Sequence, residues 1–121
     1  MKIQITVGDA ELSATLEDNA TAQAIFDAMP FDVPYNVWGD EIYCSIPVHL
    51  DMEEPGQEIM EIGDLAYWPP GHAFCIFYGR TPASTDERPR AASEVVLIGK
   101  IDGDATILRD ASASSIIIKA L

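Results

Sequence analysis

The sequence predicts a mainly β protein: a closed, eight-stranded antiparallel β-barrel with one short α-helix at about residues 20–29. Three observations support this prediction. Residues 2–7 and 11–16 alternate apolar and polar side chains, as half-buried strands do. Residues 94–101 are rich in valine and isoleucine, which favour strands. Only residues 20–29 have the apolar spacing of a helix, and closing the sheet would remove the exposed edges of an open one.

Residues 1–121 are expected to form a single domain. The chain has 121 residues, of which 48% are hydrophobic, and this is enough for one core. The sequence contains no internal repeat and no linker-like stretch. A barrel of this size fills its own interior, so a binding site would lie at a mouth or in an outer groove.

The start of the chain predicts a hairpin followed by the helix. Gly8-Asp9 joins the two alternating runs and suits a tight turn. Asn19 is a good N-cap for the helix, and Pro30 ends it. Four apolar residues lie on one face of this helix: Ala22, Ile25, Phe26 and Met29.

A second hairpin is predicted from residues 31–38 and 41–46, joined by Gly39-Asp40. Alternation divides its second strand into one face with Ile42, Cys44 and Ile46 and another with Glu41, Tyr43 and Ser45. Residues 51–64 contain six acidic residues and no basic one, which predicts a surface excursion. It ends in a short strand at residues 57–62.

The stretch from Glu61 to Pro82 is the centre of the predicted fold, because it holds half of the aromatic residues. Its apolar runs, residues 65–68 and 73–78, flank Pro69-Pro70-Gly71 and predict a central hairpin with a tight turn.

The last third of the chain predicts a long loop and the closing strands. Residues 80–93 contain three arginines, and loops of this length are often functional or mobile. Residues 94–101 predict a strong strand, residues 106–108 a short element, and residues 115–121 a final strand.

The negative charge is concentrated in one part of the chain. Residues 1–79 contain fourteen acidic residues and one basic residue, whereas residues 80–121 contain six of each. Such a field repels nucleic acid and anionic membranes, so neither is expected as a partner. A solvated surface accounts for the acidity, and a specific basic or metal-ion partner is the alternative.

The sequence also predicts where the protein resides. No apolar run reaches the length of a membrane span, and Met1-Lys2 does not lead into the apolar core of a signal peptide. A cytoplasmic protein is therefore expected. Cys44 and Cys75 lie in strand-like apolar runs and are expected to be reduced and buried rather than bridged.

No motif for a metal or a cofactor is present. His49 and His72 lie near the cysteines in sequence, but the spacing is not that of a structural zinc site. The sequence lacks a phosphate-binding loop, a serine-nucleophile elbow and a zincin helix, so no cofactor is expected.

Two strings in the sequence resemble a known family. They are Tyr35-Asn-Val-Trp-Gly-Asp-Glu-Ile-Tyr43 and Gly63-Asp-Leu-Ala-Tyr-Trp-Pro-Pro-Gly71. Together with Ser45–Val48, Phe74–Phe77, Arg88-Pro89 and residues 95–101, they make most of the chain similar to the small prokaryotic cyclophilin-like proteins. The resemblance implies a stand-alone, eight-stranded cyclophilin-type barrel, in a family whose members mostly lack an assigned biochemical function.

The resemblance does not carry an activity with it. Cyclophilins isomerise X-Pro peptide bonds with an arginine near a Phe-x-x-Val type segment, and that segment is absent here. Relatives of the domain occur in modules of allophanate and urea-amide chemistry, but no motif here carries that activity over. We therefore expect a binding domain for a small molecule or a peptide segment. The alternative is an enzyme, either a prolyl isomerase with a rebuilt site or an amide-processing catalyst.

The predicted binding site combines residues of the second and central hairpins near the mouth of the barrel. Its members are Glu41, Tyr43, Tyr67, Trp68, His72 and Arg80. Aromatic walls beside opposite charges are typical of a ligand pocket, in which Glu41 would have a raised pKa and act as a base. The competing interpretation is an ordinary aromatic core, an exposed turn histidine at His72, and an ion pair between Glu41 and an arginine of residues 80–93.

Overall fold

The computed structural model describes the whole chain, residues 1–121, as one α-helix, ten strands and two 3-10 helices. The strands are β1 (Lys2–Val7), β2 (Ala10–Leu16), β3 (Phe31–Val33), β4 (Asn36–Val37), β5 (Glu41–Ser45), β6 (Gln57–Ile59), β7 (Asp64–Trp68), β8 (Ala73–Phe77), β9 (Arg90–Ile101) and β10 (Ile116–Ala120). The helix α1 spans Ala20–Ala28, and the 3-10 helices span Pro69–Gly71 and Ala105–Asp110.

The opening hairpin and the helix form as predicted. In β1 and β2 alternate side chains are buried, because one face of this pair covers the core. The side chain of Asn19 caps α1 by accepting a hydrogen bond of 2.8 Å from the backbone N–H of Ala22. Ala22 and Ile25 are buried and dock the helix on the sheet.

The strands form one antiparallel sheet that is not closed into a barrel, so the prediction of a closed barrel was wrong. The order of hydrogen-bonded strands is β3-β10-β1-β2-β9-β7-β8-β5-β4, and β6 pairs with the first half of β9. The two edge strands, β3 and β4, do not pair with each other. Instead the chain passes from one edge to the other through Pro34 and Tyr35.

There are ten strands rather than the predicted eight, and the division of one predicted strand accounts for one of the two additional strands. Residues 31–38 were predicted as one strand, but Pro34 divides them, since it lacks the N–H that a closing ladder needs. Its first part pairs with β10, and only its second part pairs with β5 as the predicted hairpin. Because Val33 and Asn36 are three residues apart, their Cα atoms lie within about 11 Å of each other. The sheet therefore curls until its edges are neighbours, without hydrogen bonds between them.

The two faces of the curled sheet carry separate apolar clusters. The larger, inner cluster fills the space inside the sheet and includes Ile42, Cys44 and Tyr67. The smaller one, here called the outer cluster, lies on the opposite face and consists of Met60, Ala66, Ala73, Cys75, Phe77, Ala91 and Val95. The central hairpin contributes to both, which explains why its strands are apolar without alternation. Both cysteines are free and buried, as predicted, and they lie in different clusters.

The central hairpin is confirmed, and the strand that follows it is longer than predicted. β7 and β8 are joined by the 3-10 helix Pro69–Gly71 rather than by a simple turn. β9 begins at Arg90 rather than at Glu94, and this extra length pairs with β6. The first half of β9 consequently lies over the outer face of the sheet and forms one side of a pocket.

Candidate functional site

A pocket of about 260 Å³ lies on the outer face of the sheet, between β5 and the first half of β9. Three aromatic side chains line it: Trp38, Tyr43 and Trp68. Ala91, Ala92 and Val95 complete the apolar wall on the β9 side, and Glu41 is the only acidic residue of the lining. The pocket is therefore mainly apolar and aromatic, with one carboxyl group.

Strand alternation brings these side chains to one face. In β5, Ile42 and Cys44 belong to the inner cluster, so Glu41 and Tyr43 point to the outer face. In β7 the same rule separates neighbours: Tyr67 lies in the inner cluster and Trp68 on the outer face. The site is thus an outer groove and not the mouth of a barrel.

The Trp68 ring is held in place from two sides. Its indole Nε1–H donates a hydrogen bond of 2.7 Å to the hydroxyl of Ser93, which lies in β9. On the other side the ring lies against Gly71, where an added Cβ would be 2.8 Å from two ring carbons. Glycine at this position allows the close approach, and the wall between β7 and β9 is fixed before any ligand binds.

The opposite wall is fixed by the turn at Gly39-Asp40. Gly39 has a φ of 61°, in the left-handed region that suits glycine. The backbone N–H of Asp40 donates to the carbonyl of Arg80 at 2.8 Å, and the Asp40 carboxylate accepts from Nε of Arg109 at 2.9 Å. These bonds set the positions of Trp38 and Glu41, the residues that flank the turn.

Glu41 is a buried carboxyl group without a cationic partner. Its exposed fraction is 6%, and none of the ion pairs of the protein includes it. Burial raises the pKa of Glu41 to about 7, and a hydrogen bond from the Cys75 thiol opposes this rise only in part. Burial, together with the charge of Glu41, raises the pKa of Cys75 well above its ordinary value.

The expected ion pair between Glu41 and an arginine of residues 80–93 is absent, so that interpretation was wrong. Arg88 pairs with Asp86 at 2.6 Å, and Arg90 pairs with Glu58 at 3.2 Å. Arg80 is exposed and takes part in no ion pair. The loop is bonded to itself instead, since Ser84 Oγ donates to the Arg88 carbonyl at 2.8 Å.

Of the six residues predicted for the site, the structure brings three together: Glu41, Tyr43 and Trp68. Tyr67 is fully buried in the inner cluster, where its hydroxyl donates to the Val48 carbonyl at 2.7 Å. His72 stacks on His49, with ring centroids 3.9 Å apart, at the tip of the central hairpin. Arg80 does not line the pocket.

Four residues of the pocket were not predicted from the sequence. Trp38 was not among the six predicted residues, but it is only half-buried and lines the groove. Ala91 and Ala92 were assigned to the loop, and Val95 to the strand without a role in the site. Small residues before a strand carry no signal of their own, so only the pairing of β9 with β6 reveals them.

A second, larger cavity of about 390 Å³ lies between β6, β7 and β9, and it is mostly polar. Its lysine is already paired within the protein. Lys100 Nζ lies 2.9 Å from a carboxylate oxygen of Glu61 and 3.9 Å from one of Asp64. Glu17 takes part in no ion pair, but it is exposed to solvent. Because no buried charge there lacks a partner, the aromatic pocket is the stronger candidate site.

The chain was compared with known proteins and with solved structures. None of its helices has both the length and the apolar character that a membrane span requires. The family model described as cyclophilin-like matches residues 1–119. No curated protein matches the chain.

One solved structure supports the same assignment over the whole chain. It is the solution structure of a hypothetical protein from Archaeoglobus fulgidus, which is 37% identical. The match covers 100% of this chain and 95% of the archaeal one, with a TM-score of 0.83. Because the family model spans almost every residue and this relative shares the fold, the chain belongs to the small prokaryotic cyclophilin-like family, whose function is unassigned.

Proposed function

We propose that the protein is a binding domain whose outer pocket receives a compact apolar or aromatic group of a small molecule or of a peptide segment. One observation carries this proposal: three aromatic side chains line a cavity of about 260 Å³, and one of them, Trp68, is held by a hydrogen bond to Ser93. Ligand sites are usually mainly apolar, largely preformed and equipped with a few polar groups. A preformed wall lowers the cost of ordering the site on binding.

The size of the cavity restricts the ligand. Pockets for drug-sized molecules have volumes of about 300–1,000 Å³, so this cavity suits one ring or one short branched group. We place the domain in the cytoplasm, because both cysteines are free thiols, as is usual in a reducing compartment.

A screen of small aromatic fragments by thermal shift and by tryptophan fluorescence tests the proposal. Trp68→Leu removes one wall and should weaken every fragment that binds in the pocket. Arg80→Ala is the matched control, since Arg80 is exposed and lies outside the pocket. Fragments that bind Trp68→Leu as tightly as the parent would locate the site elsewhere.

An enzyme is the second candidate, and Glu41 is the observation that favours it. A carboxyl group with a pKa of about 7 is well matched to general acid–base catalysis at neutral pH. A rebuilt prolyl isomerase or an amide-processing catalyst would use it in this way. A protease-coupled assay with a proline peptide tests the first of these, and turnover that disappears in Glu41→Gln would make the enzyme the leading candidate.

A further inference from the structure

The outer pocket contains one carboxyl group and no cation. Its lining includes two ionisable side chains, Glu41 and Tyr43, and neither is basic. The basic residues nearest in the chain to the β9 wall are already paired: Arg90 with Glu58, and Arg88 with Asp86. The protein itself therefore leaves Glu41 without a counter-charge at the bottom of an aromatic groove.

We propose that the pocket binds an organic cation, a compact protonated or quaternary ammonium group that faces the carboxylate of Glu41 and lies against the rings of Trp38, Tyr43 and Trp68. This inference rests on the proposed binding function and names its ligand class. A free small molecule and a cationic side chain of a peptide both offer this chemistry.

The buried carboxylate of Glu41 has an energetic cost as long as it is unpaired. Burying a charge is expensive unless it is paired, and a neutral ligand would leave Glu41 as it is. An ammonium group would supply the missing partner. Glu41 is 6% exposed, and no N–H group of the protein donates a hydrogen bond to its carboxyl group. Because Glu41 also lines the pocket, a ligand in the pocket can reach this carboxyl group and supply the missing partner.

The aromatic walls of the pocket also favour a cation. Tryptophan and tyrosine rings attract cations over their faces, with tryptophan the strongest, and desolvation increases this attraction. Two of the three aromatic walls are the only tryptophans of the protein. Sets of aromatic rings around one cavity are the usual way in which proteins recognise ammonium groups.

The long-range electrostatic field of the protein favours a cation as well. The chain has a formal net charge of −13, and residues 1–79, which include β5 and β7, carry all of it. Such a field raises the local concentration of cations and repels anions before contact. Charge, walls and field thus favour the same class of ligand.

The arrangement makes binding depend on pH. The titratable groups around Glu41 are the Cys75 thiol on β8, Tyr43 on the same strand and the neighbouring Asp40, which pairs with Arg109. The Tyr78 phenol belongs to the inner cluster on the other face of the sheet. The pKa of Cys75 is raised far above neutrality and that of Tyr78 to about 12, chiefly by burial in both cases, so these two groups stay protonated. Since a cation favours the ionised form of Glu41, its affinity should rise with pH through neutrality, and binding should release protons.

Three probes of nearly equal shape test the inference: choline, its neutral analogue 3,3-dimethylbutan-1-ol, and the anion 3,3-dimethylbutanoate. Titrations of the full chain would follow the fluorescence of Trp38 and Trp68. At about pH 8 choline should bind at least about tenfold more tightly than the alcohol, and the anion most weakly. Choline affinity should fall about tenfold between about pH 8 and about pH 5.5, because Glu41 becomes protonated over this range while the charge of choline does not change.

Glu41→Gln separates charge from shape. In this variant choline should lose most of its advantage over the alcohol, because only the attraction of the rings remains. Its affinity should fall much more than that of the alcohol, whose remaining binding shows that the pocket still forms. Glu41→Asp should recover part of the preference for choline. Competition between choline and Nα-acetyl-lysine methylamide would assign the cation to a peptide side chain if the lysine compound binds more tightly, and to a free ligand if it does not.

Two results would overturn the inference in different ways. Equal binding of choline and the alcohol to the parent, with both weakened in Trp68→Leu, would reject the cation and leave the binding function in place. No response of either tryptophan to any of the three probes or to the aromatic fragments would reject both.

Discussion

The indole nitrogen of Trp68 lies 2.7 Å from the hydroxyl oxygen of Ser93 and donates a hydrogen bond to it. Trp68 ends β7, and Ser93 lies in the first half of β9, where β9 no longer pairs with β7. The bond therefore joins the central hairpin to the segment that forms the far wall of the pocket. It keeps the indole ring upright beside the cavity.

The bond predicts a local effect of Ser93→Ala. Loss of an exposed hydrogen bond of about 1 kcal/mol should raise the rate of solvent exchange of the Trp68 indole N–H by about fivefold. The measurement is hydrogen exchange by NMR, with the Trp38 indole as internal control. Ser93→Thr keeps a hydroxyl and should behave like the parent. An unchanged Trp68 signal in Ser93→Ala would mean that packing against Gly71 alone fixes the ring.

Glu41 predicts a stability that decreases with pH. The folded-state pKa of Glu41, about 7, is above its ordinary value of 4.5, so the folded state holds more protons between these limits. Stability should therefore fall as the pH rises from about 4.5 to about 7, by up to about 3 kcal/mol at roughly 1.4 kcal/mol per pKa unit.

Glu41→Gln should remove this decrease, because glutamine does not ionise. Urea unfolding at a series of pH values measures it, and the gain of the variant over the parent should be largest above neutrality. Glu94→Gln is the control, because Glu94 is exposed and in no ion pair. Parallel pH profiles for Glu41→Gln and the parent would contradict the prediction.

Tyr67 is predicted to stabilise the fold and not to bind the ligand. Its buried hydroxyl donates to the Val48 carbonyl and accepts from the Leu50 N–H at 3.2 Å, so it fixes the segment after β5. Tyr67→Phe should lower the free energy of unfolding by about 1–3 kcal/mol, because both backbone groups lose their partner. Pocket affinities should not change.

Tyr43→Phe is the matched control for this substitution. The Tyr43 side chain is half-buried at the pocket, and its hydroxyl makes no hydrogen bond within the protein. The free energy of unfolding should change by less than about 0.5 kcal/mol. Equal losses in the two variants would show that the hydroxyl bonds of Tyr67 contribute little.

Gly39 is predicted to tolerate no side chain. Its φ of 61° is unfavourable for other residues, and an added Cβ would lie 2.9 Å from the Arg80 carbonyl oxygen and from Cα of Thr81. Gly39→Ala should destabilise the protein by about 2 kcal/mol or more. At Gly103 an added Cβ has no neighbour within 4 Å, so Gly103→Ala should be close to neutral. Thermal unfolding compares the two, and similar midpoints would argue against a constrained turn.

Most of the local structure could be predicted from the sequence. Alternation gave the first hairpin, the Asn19 cap and the apolar spacing gave the helix, and Gly39-Asp40 gave the turn between β4 and β5. These features depend on contacts between residues close in the chain, and such contacts are written directly in the pattern of side chains.

The same pattern contained information that the predicted site did not use. Neighbouring residues of a strand point to opposite faces, so Tyr67 and Trp68 could not belong to one pocket. The alternation along the strand shows that the two side chains lie on opposite faces, but it does not show which of them faces the core. That choice depends on which face α1 and the rest of the sheet cover.

The edges of the sheet and the composition of the pocket depend on contacts between segments that are distant in the chain. Whether β3 and β4 pair depends on the position of Pro34 in the curled sheet. The number of strands does not determine that position. Ala91 and Val95 reach Trp68 and Tyr43 because β9 extends past β7 to pair with β6. Glu41 has no cationic partner, because two arginines of residues 80–93 pair with other carboxylates and the third, Arg80, is exposed to solvent. Pairings between distant segments depend on the packing of the whole chain, and no local pattern of side chains specifies them.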